Sequence, residues 1–562
     1  MEKVKFAIGF AAGRTNVCDI INSYYDDMLE QISRYKKKVE LNIYILIDLN
    51  YQEKELEEFY KLSSSVLKSN VKIKYITPEL INLEKILLMT KNDLKQEEAE
   101  MFIGTGHARC RNTILYYALK DEIDYLLFWD DDEYPVANVL NEDGSISWIK
   151  QDNILNHLEY IENCDVTIGH HCGYISPIPY FDCKSKENEE SVKTYIEAIS
   201  NDIVTWESIK EKFIKHNGVT YANKDIIDNK KAWEIESQNG GKWVAGSTLC
   251  LNLNNMEKIP AFFNPEGARG EDTFFSTKLN KAKVIRVPIY HFHDGFLKYT
   301  NILNKEYPET LKKITFKDKG SGKRFFKASI GWMKYKPLFV YITDKFNCDS
   351  KLKIVEEKLN KSIPVINKMF NNIDFNIVLK EFLKYRENVL KDFDKYEEIN
   401  KLWKKITKSE KFNYDISRYK PKYEKDIKDF IINICCNEYG FKNLEQDFLN
   451  ADYSIYEETG NNNNFFIMFD DEKIIGTIIT EINNNIAVIK GLYVADDYRK
   501  KGIAQRLFDE ILEYIKKQGV KNIKLGTYTE MTKAIKFYEK NGFIENINER
   551  IDNERYYYLK LK

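Results

Sequence analysis

Four consecutive acids, Asp130, Asp131, Asp132 and Glu133, close an apolar run from Tyr125 to Trp129. Such a run, bounded by turn residues, reads as a buried strand, and carboxylates at its end sit where open α/β sheets hold their ligands. Alternate strand residues point the same way, so Asp130 and Asp132 share a face, and carboxylates this crowded need a counter-charge. Hard oxygen donors of this kind hold Mg²⁺ or Mn²⁺, with water and substrate phosphates completing the shell. A second acid pair, Glu271 and Asp272, opens an amphipathic stretch, and its plainest use is to cap a helix start. Far downstream, Arg499-Lys500-Lys501-Gly502-Ile503-Ala504 joins a strand to a helix. Backbone N–H groups and the helix dipole make such a basic, Gly-containing junction an anion cradle.

The elements that must position the acids come first in the chain. Val4 to Phe10, Leu41 to Leu49 and Val71 to Ile76 are strand-like runs separated by amphipathic stretches. This alternation predicts a parallel sheet with helices on its faces. The loop Ala11 to Asn16 carries Arg14 at the edge where a nucleotide would lie. Asp48 closes the second strand, either as an acceptor for a base or ribose or as a solvated strand-end acid. Gly104 to Asn112 opens a helix whose apolar face is Ile114, Leu115, Ala118 and Leu119. His107, Arg109, Arg111 and Asn112 fall in its first turn. Two arginines there suit a diphosphate, or they pair with the neighbouring acids.

With this D-x-D at a strand end, the first part of the chain resembles the GT-A glycosyltransferases. The resemblance implies a Rossmann-like mixed α/β sheet with helices on both faces. It also implies a metal and a nucleotide-diphosphate sugar, a UDP-sugar in the first instance. Donor contacts then fall to Arg14, Asp48, Arg109, Asn112, Asp130 and Asp131, and metal ligation to Asp130 and Asp132. The family pattern further calls for an acid pair followed by a histidine ligand. Glu271 and Asp272 follow the strand-like stretch Trp243 to Leu253, with Asp272 as acceptor base and Glu271 as an acceptor-binding alternative. His291 and His293, two apart in VIRVPIYHFHDGF, share a strand face, and His293 is the first choice of ligand. In Gly169 to Phe181, His170 and His171 are adjacent and point apart on any strand, so that run reads as structure.

From about 299 to 411 the pattern becomes helical and densely charged, a connector between domains at 1–298 and 412–562. FFIMF, IIGTIIT and IAVIKGLYV then read as an antiparallel meander, followed by a helix with Ile503, Ala504, Leu507, Phe508, Ile511, Leu512 and Ile515 on one face. Together with TKAIKFYEKNGF, the loop at 499–504 makes this domain resemble the GNAT acyltransferases. Acetyl-coenzyme A then lies on Val494, Arg499, Lys500, Lys501, Gly502, Ile503 and Ala504. Tyr538 occupies the general-acid position, and Glu481 is the candidate base. Thr532 stands where the family often has an Asn.

The 85 basic and 87 acidic residues leave a net charge of -2, which favours neither nucleic acid nor an anionic membrane. Nine cysteines without a C-x-x-C pair argue against a disulfide scaffold and a zinc site. No apolar run reaches the roughly 20 residues of a membrane span. The expected protein is a cytoplasmic bifunctional enzyme, with the inner membrane face as a second location. It glycosylates a glycan or protein acceptor and acetylates an amine, an amino sugar being one choice, with both activities on one glycoconjugate. The alternatives are a nucleotidyltransferase in the first domain, or one domain kept only for binding.

Overall fold

The computed structural model describes residues 3–49, 55–92, 94–175, 177–183, 185–200, 206, 210, 216–371, 373–410, 414–441, 445–457, 463–470, 472–483, 485–499 and 502–561. The chain divides into two compact units, Met1–Thr407 and Lys408–Lys562.

The strands of the first unit are β1 (Lys3–Ala12), β2 (Lys38–Ile47), β3 (Lys72–Ile76), β4 (Tyr125–Phe128), β5 (Glu133–Tyr134), β6 (Val136–Leu140), β7 (Ile146–Lys150), β8 (Val166–Tyr174), β9 (Trp233–Glu234), β10 (Leu249–Asn252) and β11 (Val284–Asp294). The main sheet runs β3-β2-β1-β4-β10-β8-β11-β5, with β9 paired to β11. β3, β2, β1 and β4 are mutually parallel, and β10 runs antiparallel to both of its neighbours. The sheet is therefore mixed. Strand alternation sends Leu126 and Phe128 into one apolar core and Tyr125, Leu127 and Trp129 into another, so the sheet is covered on both faces. Each fully buried Leu, Ile or Phe contributes about 1.5–3 kcal/mol.

The strand-like stretch from Trp243 is shorter than its apolar pattern suggests, because extended structure begins only at Leu249. Thr248 holds a left-handed φ of 51°, costly for a β-branched residue, and breaks the run. The freed segment Ala245 to Ser247 lines the site instead. The helical stretch after 299 packs within the first unit. Phe325, Met333, Leu338, Leu352, Phe382 and Trp403 share one of the two sheet cores, and the Trp403 indole N–H donates to the Ile259 carbonyl at 2.8 Å.

In the second unit, β12 (Asp415–Arg418), β13 (Asn464–Asp470), β14 (Lys473–Asn483), β15 (Ile486–Val494), β16 (Asn522–Tyr528), β17 (Ile544–Glu545) and β18 (Glu554–Lys560) form one sheet in the order β12-β13-β14-β15-β16-β18-β17. The expected meander is β13-β14-β15. The helix Ile503–Lys517 lays Ile503, Leu507, Phe508, Ile511 and Ile515 onto the sheet. β15 and β16 are parallel and pair only from Ile486 and Asn522 to Ile489 and Leu525. Among the described residues no pairing joins them beyond that register, a cleft in the hydrogen bonding between Lys490–Val494 and Gly526–Tyr528.

Candidate active sites

In the first unit, β1 is flanked by β2 on one side and β4 on the other, the topological switch point at which open sheets bind ligands beyond their strand ends. A cavity of about 520 Å³ opens there. Its lining brings together Arg14, Asp48, Asp130 to Glu133, Glu271, Asp272 and His293, residues separated by most of the unit's sequence.

The acids meet arginines and histidines one by one. Asp131 accepts from the Arg14 backbone N–H at 2.9 Å and pairs with its guanidinium. Asp132 Oδ2 lies 2.9 Å from Arg14 Nη1, 3.3 Å from Arg324 Nη2 and 3.4 Å from His293 Nε2. Asp130 takes Arg111 Nη2 at 3.0 Å, and Arg111 Nε reaches Glu271 at 3.3 Å. Glu133 holds His171 at 3.1 Å, His291 at 3.2 Å and the Ser247 hydroxyl at 2.5 Å. Space for Arg111 depends on a missing side chain, since a Cβ on Gly246 would fall 2.6 Å from its guanidinium.

Burial opposes the charge on each of these carboxylates, and the neighbours decide the outcome. At Asp132, burial is outweighed by Arg14 and His293, which hold the carboxyl well below its usual range. Asp131 is pushed up to about 6 by burial and by Asp132 and Asp130, against Arg14. Asp272 also rises to about 6, through burial and the adjoining Glu271 carboxylate, with Arg111 opposing. Burial raises Glu271 too, but His107 and Arg111 win and leave it below the ordinary value. One acid of the pair is thus poised as a proton acceptor near neutral pH while the other stays charged.

Several expected residues are elsewhere. Asn112 is fully buried, with its amide bonded at both ends to the Phe262 backbone at 2.8 and 2.9 Å, so it serves packing and does not face the cavity. Arg109 is exposed and bonds the Glu100 carbonyl at 3.4 Å; the arginine that enters the site is Arg111. His291 lies fully buried behind Glu133 and beside Trp129 and does not line the cavity. Asp48 reaches the cavity and accepts the Gly106 N–H at 2.9 Å. His171, read as structural, lines the cavity, whereas His170 stacks on Tyr290 at 4.7 Å.

Among the described residues, no group of three or more His, Cys, Asp or Glu is arranged to hold a metal ion. Two donors do converge on the cavity, Asp132 and His293, with 3.4 Å between donor atoms. That is near the separation of two ligands on one ion at about 2.1 Å each, and Mg²⁺ often uses only one or two protein ligands. Asp130 is drawn to Arg111 instead.

In the second unit, Gly502 takes φ 80° and starts the helix with no side chain capping it. The first intrahelical bond is from the Arg506 N–H to the Gly502 carbonyl at 3.0 Å. The N–H groups of Ile503, Ala504 and Gln505 therefore have no partner within the helix. Arg499 is turned inward, donating from Nε to the Val494 carbonyl at 3.0 Å and pairing with Asp496 and Glu438. Lys500 and Lys501 lie outside the described residues. Tyr538 is buried among Phe537 and Phe543, and burial pushes its phenol above the ordinary value. Tyr493, on the cleft strand, is pushed well up by burial, with Cys435 and Tyr538 nearby contributing. Glu481 is tied to Lys490 and the Tyr456 hydroxyl, and these outweigh burial to hold its carboxyl below the usual range. A carboxylate so stabilised is a weaker base than a free one.

No helix among the described residues is long and apolar enough to cross a membrane. Residues 430–543 match the Acetyltransferase (GNAT) family. Over 105 residues the chain is 34% identical to streptothricin acetyltransferase A of Bacillus subtilis, covering 18% of this chain and 58% of that protein. Over 86 residues it is 31% identical to N-alpha-acetyltransferase 30 of Schizosaccharomyces pombe, covering 14% of this chain and 55% of that protein. The chain thus spans little more than half the length of these relatives. A solved GNAT-family acetyltransferase from Staphylococcus aureus is 28% identical, with a TM-score of 0.24 over 26% of this chain and 99% of that one.

Proposed function

We propose that a chain carrying a GNAT acetyltransferase domain at residues 430–543 joins acetyl transfer to a second, sugar-transferring activity. In the C-terminal unit an amine attacks the carbonyl of acetyl-coenzyme A, the C–S bond breaks, the departing thiolate takes the Tyr538 proton, and the proton shed by the new amide nitrogen returns to the Tyr538 phenolate through solvent. The uncapped N–H groups of Ile503, Ala504 and Gln505 receive the pyrophosphate, and the cleft after Ile489 admits the thioester arm. Arg499 acts by fixing the loop to Val494, not by offering its guanidinium. The acetyl-transfer reading rests above all on the family match, with the free helix start as its structural support. Coenzyme A release from acetyl-coenzyme A, screened over amino sugars and amine-bearing peptides, tests it. A Tyr538→Phe variant retaining the full rate at every pH would remove the general-acid role.

For the first unit the reading is transfer of a sugar from a nucleotide-diphosphate sugar, UDP-linked in the first instance, to a hydroxyl of a glycan or protein. What supports it is the convergence of Asp130 to Asp132, Asp272 and His293 on one cavity at the switch point. Asp272 removes the acceptor proton as the hydroxyl attacks the anomeric carbon and the nucleoside diphosphate leaves. Arg111 holds Glu271 and Asp130 in place, and Arg14 and Arg324 face the departing diphosphate. Asp132 and His293 would hold Mn²⁺ or Mg²⁺, which when bound supplies positive charge to the diphosphate. Nucleotide-sugar hydrolysis over a donor panel, with and without Mn²⁺, for the wild type and Asp132→Ala, tests this reading. Metal-independent turnover, or an unaffected variant, defeats the metal assignment, and no turnover with any donor defeats the sugar-transfer reading. Both activities acting on one glycoconjugate is the arrangement that gives the fusion a use, since a tether raises effective concentration.

A further inference from the structure

Apart from Arg324, the wall of the first cavity contributed by the helix Ser321–Thr343 has no part in the chemistry described so far. Arg324, Trp332 and Tyr335 on that helix line the cavity, together with Arg269 just before the acid pair. Two glycines shape this wall. A Cβ on Gly331 would fall 2.5 Å from Arg269 Cγ, and a Cβ on Gly270, at φ 89°, would fall 2.8 Å from the Tyr335 ring. The Arg269 N–H also donates to the Gly331 carbonyl at 3.2 Å, which fixes the loop to the helix.

Arg269 differs from the other three arginines of the cavity. Arg14, Arg111 and Arg324 each pair with a carboxylate. The Arg269 guanidinium makes no hydrogen bond or ion pair among the described residues, although Glu271 and Asp272 are its chain neighbours. Trp332 is half-buried on the same wall and presents the flat, apolar indole that a sugar ring packs against. A guanidinium left over from the internal charge pairing, lining the same cavity as an indole and three positions before the carboxylate that takes the acceptor proton, has the makings of a subsite for an acidic ring.

We propose that Arg269 and Trp332 form the acceptor subsite of the first unit and select an acceptor sugar bearing an anionic group, carboxylate or phosphate. The proposal rests on the sugar-transfer reading for the word acceptor. Binding measured without turnover separates the two. The probes are glucuronate and glucose 6-phosphate, which carry the two kinds of anion, with glucose as the neutral control. Titrations of the full chain are read by calorimetry or saturation-transfer NMR.

Wild type should bind one or both acidic sugars about tenfold more tightly than glucose, the scale of one charge-assisted pair. The probe showing the larger preference identifies the anion. Arg269→Gln should abolish that preference, Arg269→Lys should keep part of it, and Trp332→Ala should weaken all three sugars alike. Gly331→Ala, which leaves the charge but crowds Arg269, should reduce the preference without removing it. Equal binding of glucose and both acids, or a preference that survives Arg269→Gln, overturns the proposal. A preference that follows Arg269 in a protein that turns over no nucleotide sugar would leave the anionic subsite standing and sink the sugar-transfer reading.

Discussion

The two candidate sites are built in opposite ways. The first gathers charged side chains from Arg14 to Arg324 around one cavity, and nearly every charge answers another across the fold. The second lies within a short run of chain, and its main offering is backbone: three N–H groups at a helix start and the open edge of β15. A site made of backbone tolerates most side-chain changes but depends on the one residue that sets its conformation. A site made of paired charges is sensitive at many positions, because removing one partner leaves the other buried and unpaired.

The largest effect is expected of Asp272→Asn. As the acceptor base, Asp272 should account for about 10²–10⁴-fold in the transfer rate. Binding of the nucleotide sugar should survive, so the loss should fall on kcat and not on KM. A change confined to KM would assign Asp272 to binding. Stability should move the other way. The folded-state pKa of Asp272 is raised to about 6, so its contribution is present at low pH and is lost as pH rises through about 6. At pH 8 the variant no longer buries that charge, and thermal unfolding of the first unit should shift upward.

The same group sets a pH limb. A base works when deprotonated, so transfer should rise with pH up to about 6 and level off above it. Below about 6 the rate should fall roughly tenfold per unit. Burial raises this value most, Glu271 and Asp130 raise it further, and Arg111 and the Thr273 N–H lower it. Glu271→Gln removes the largest repulsion and should move the limb to lower pH. A limb that stays in place would mean that burial alone fixes the value.

How far each site could be read from sequence follows from the same contrast. The loop at Gly502 is local, and residue order gives strand, turn and helix start together. The first site is only half local. Its strand-end acids, Asp272 and His293 stand out, but the choice between Arg109 and Arg111 depends on helix phase. The signal was present, since Arg111 shares the i, i+3, i+4, i+7 face with Ile114, Leu115 and Ala118, and that face is buried. His291 and His293 share a strand face, but only the contacts of Glu133 and Asp132 show that one lies a step deeper than the other. Arg324, Trp332 and Tyr335 carried no local signal at all. They sit in a helix that reads as generic, and only its packing against the sheet core brings them to the cavity.

The second site should have one sensitive position. Gly502 holds φ 80° with open space around it, so a larger side chain fits but the backbone does not. Gly502→Val should cost roughly 1–2 kcal/mol of backbone strain. The N–H cradle should shift accordingly, raising the KM for acetyl-coenzyme A by about tenfold with less effect on kcat. Arg499→Ala should do less, because it loosens the loop from Val494 without removing a donor from the helix start. Equal effects of the two variants would make the cradle a matter of side chains after all.

The smallest effect concerns Glu481. A dedicated base would be expected to lose about 10²–10⁴-fold on becoming an amide. Lys490 and Tyr456 hold this carboxylate in its charged form, however, and its pKa is lowered, not raised toward neutrality. Glu481→Gln keeps the shape and the bond from the Tyr456 hydroxyl, so coenzyme A release should change by less than about twofold. The ion pair with Lys490 is lost, and because that lysine is about half exposed the stability cost should be small. A large loss of rate with a normal pH profile would make Glu481 an acceptor-binding group. A loss confined to low pH would restore it as the base and show that the cleft does use a side chain where the comparison assigns it only backbone.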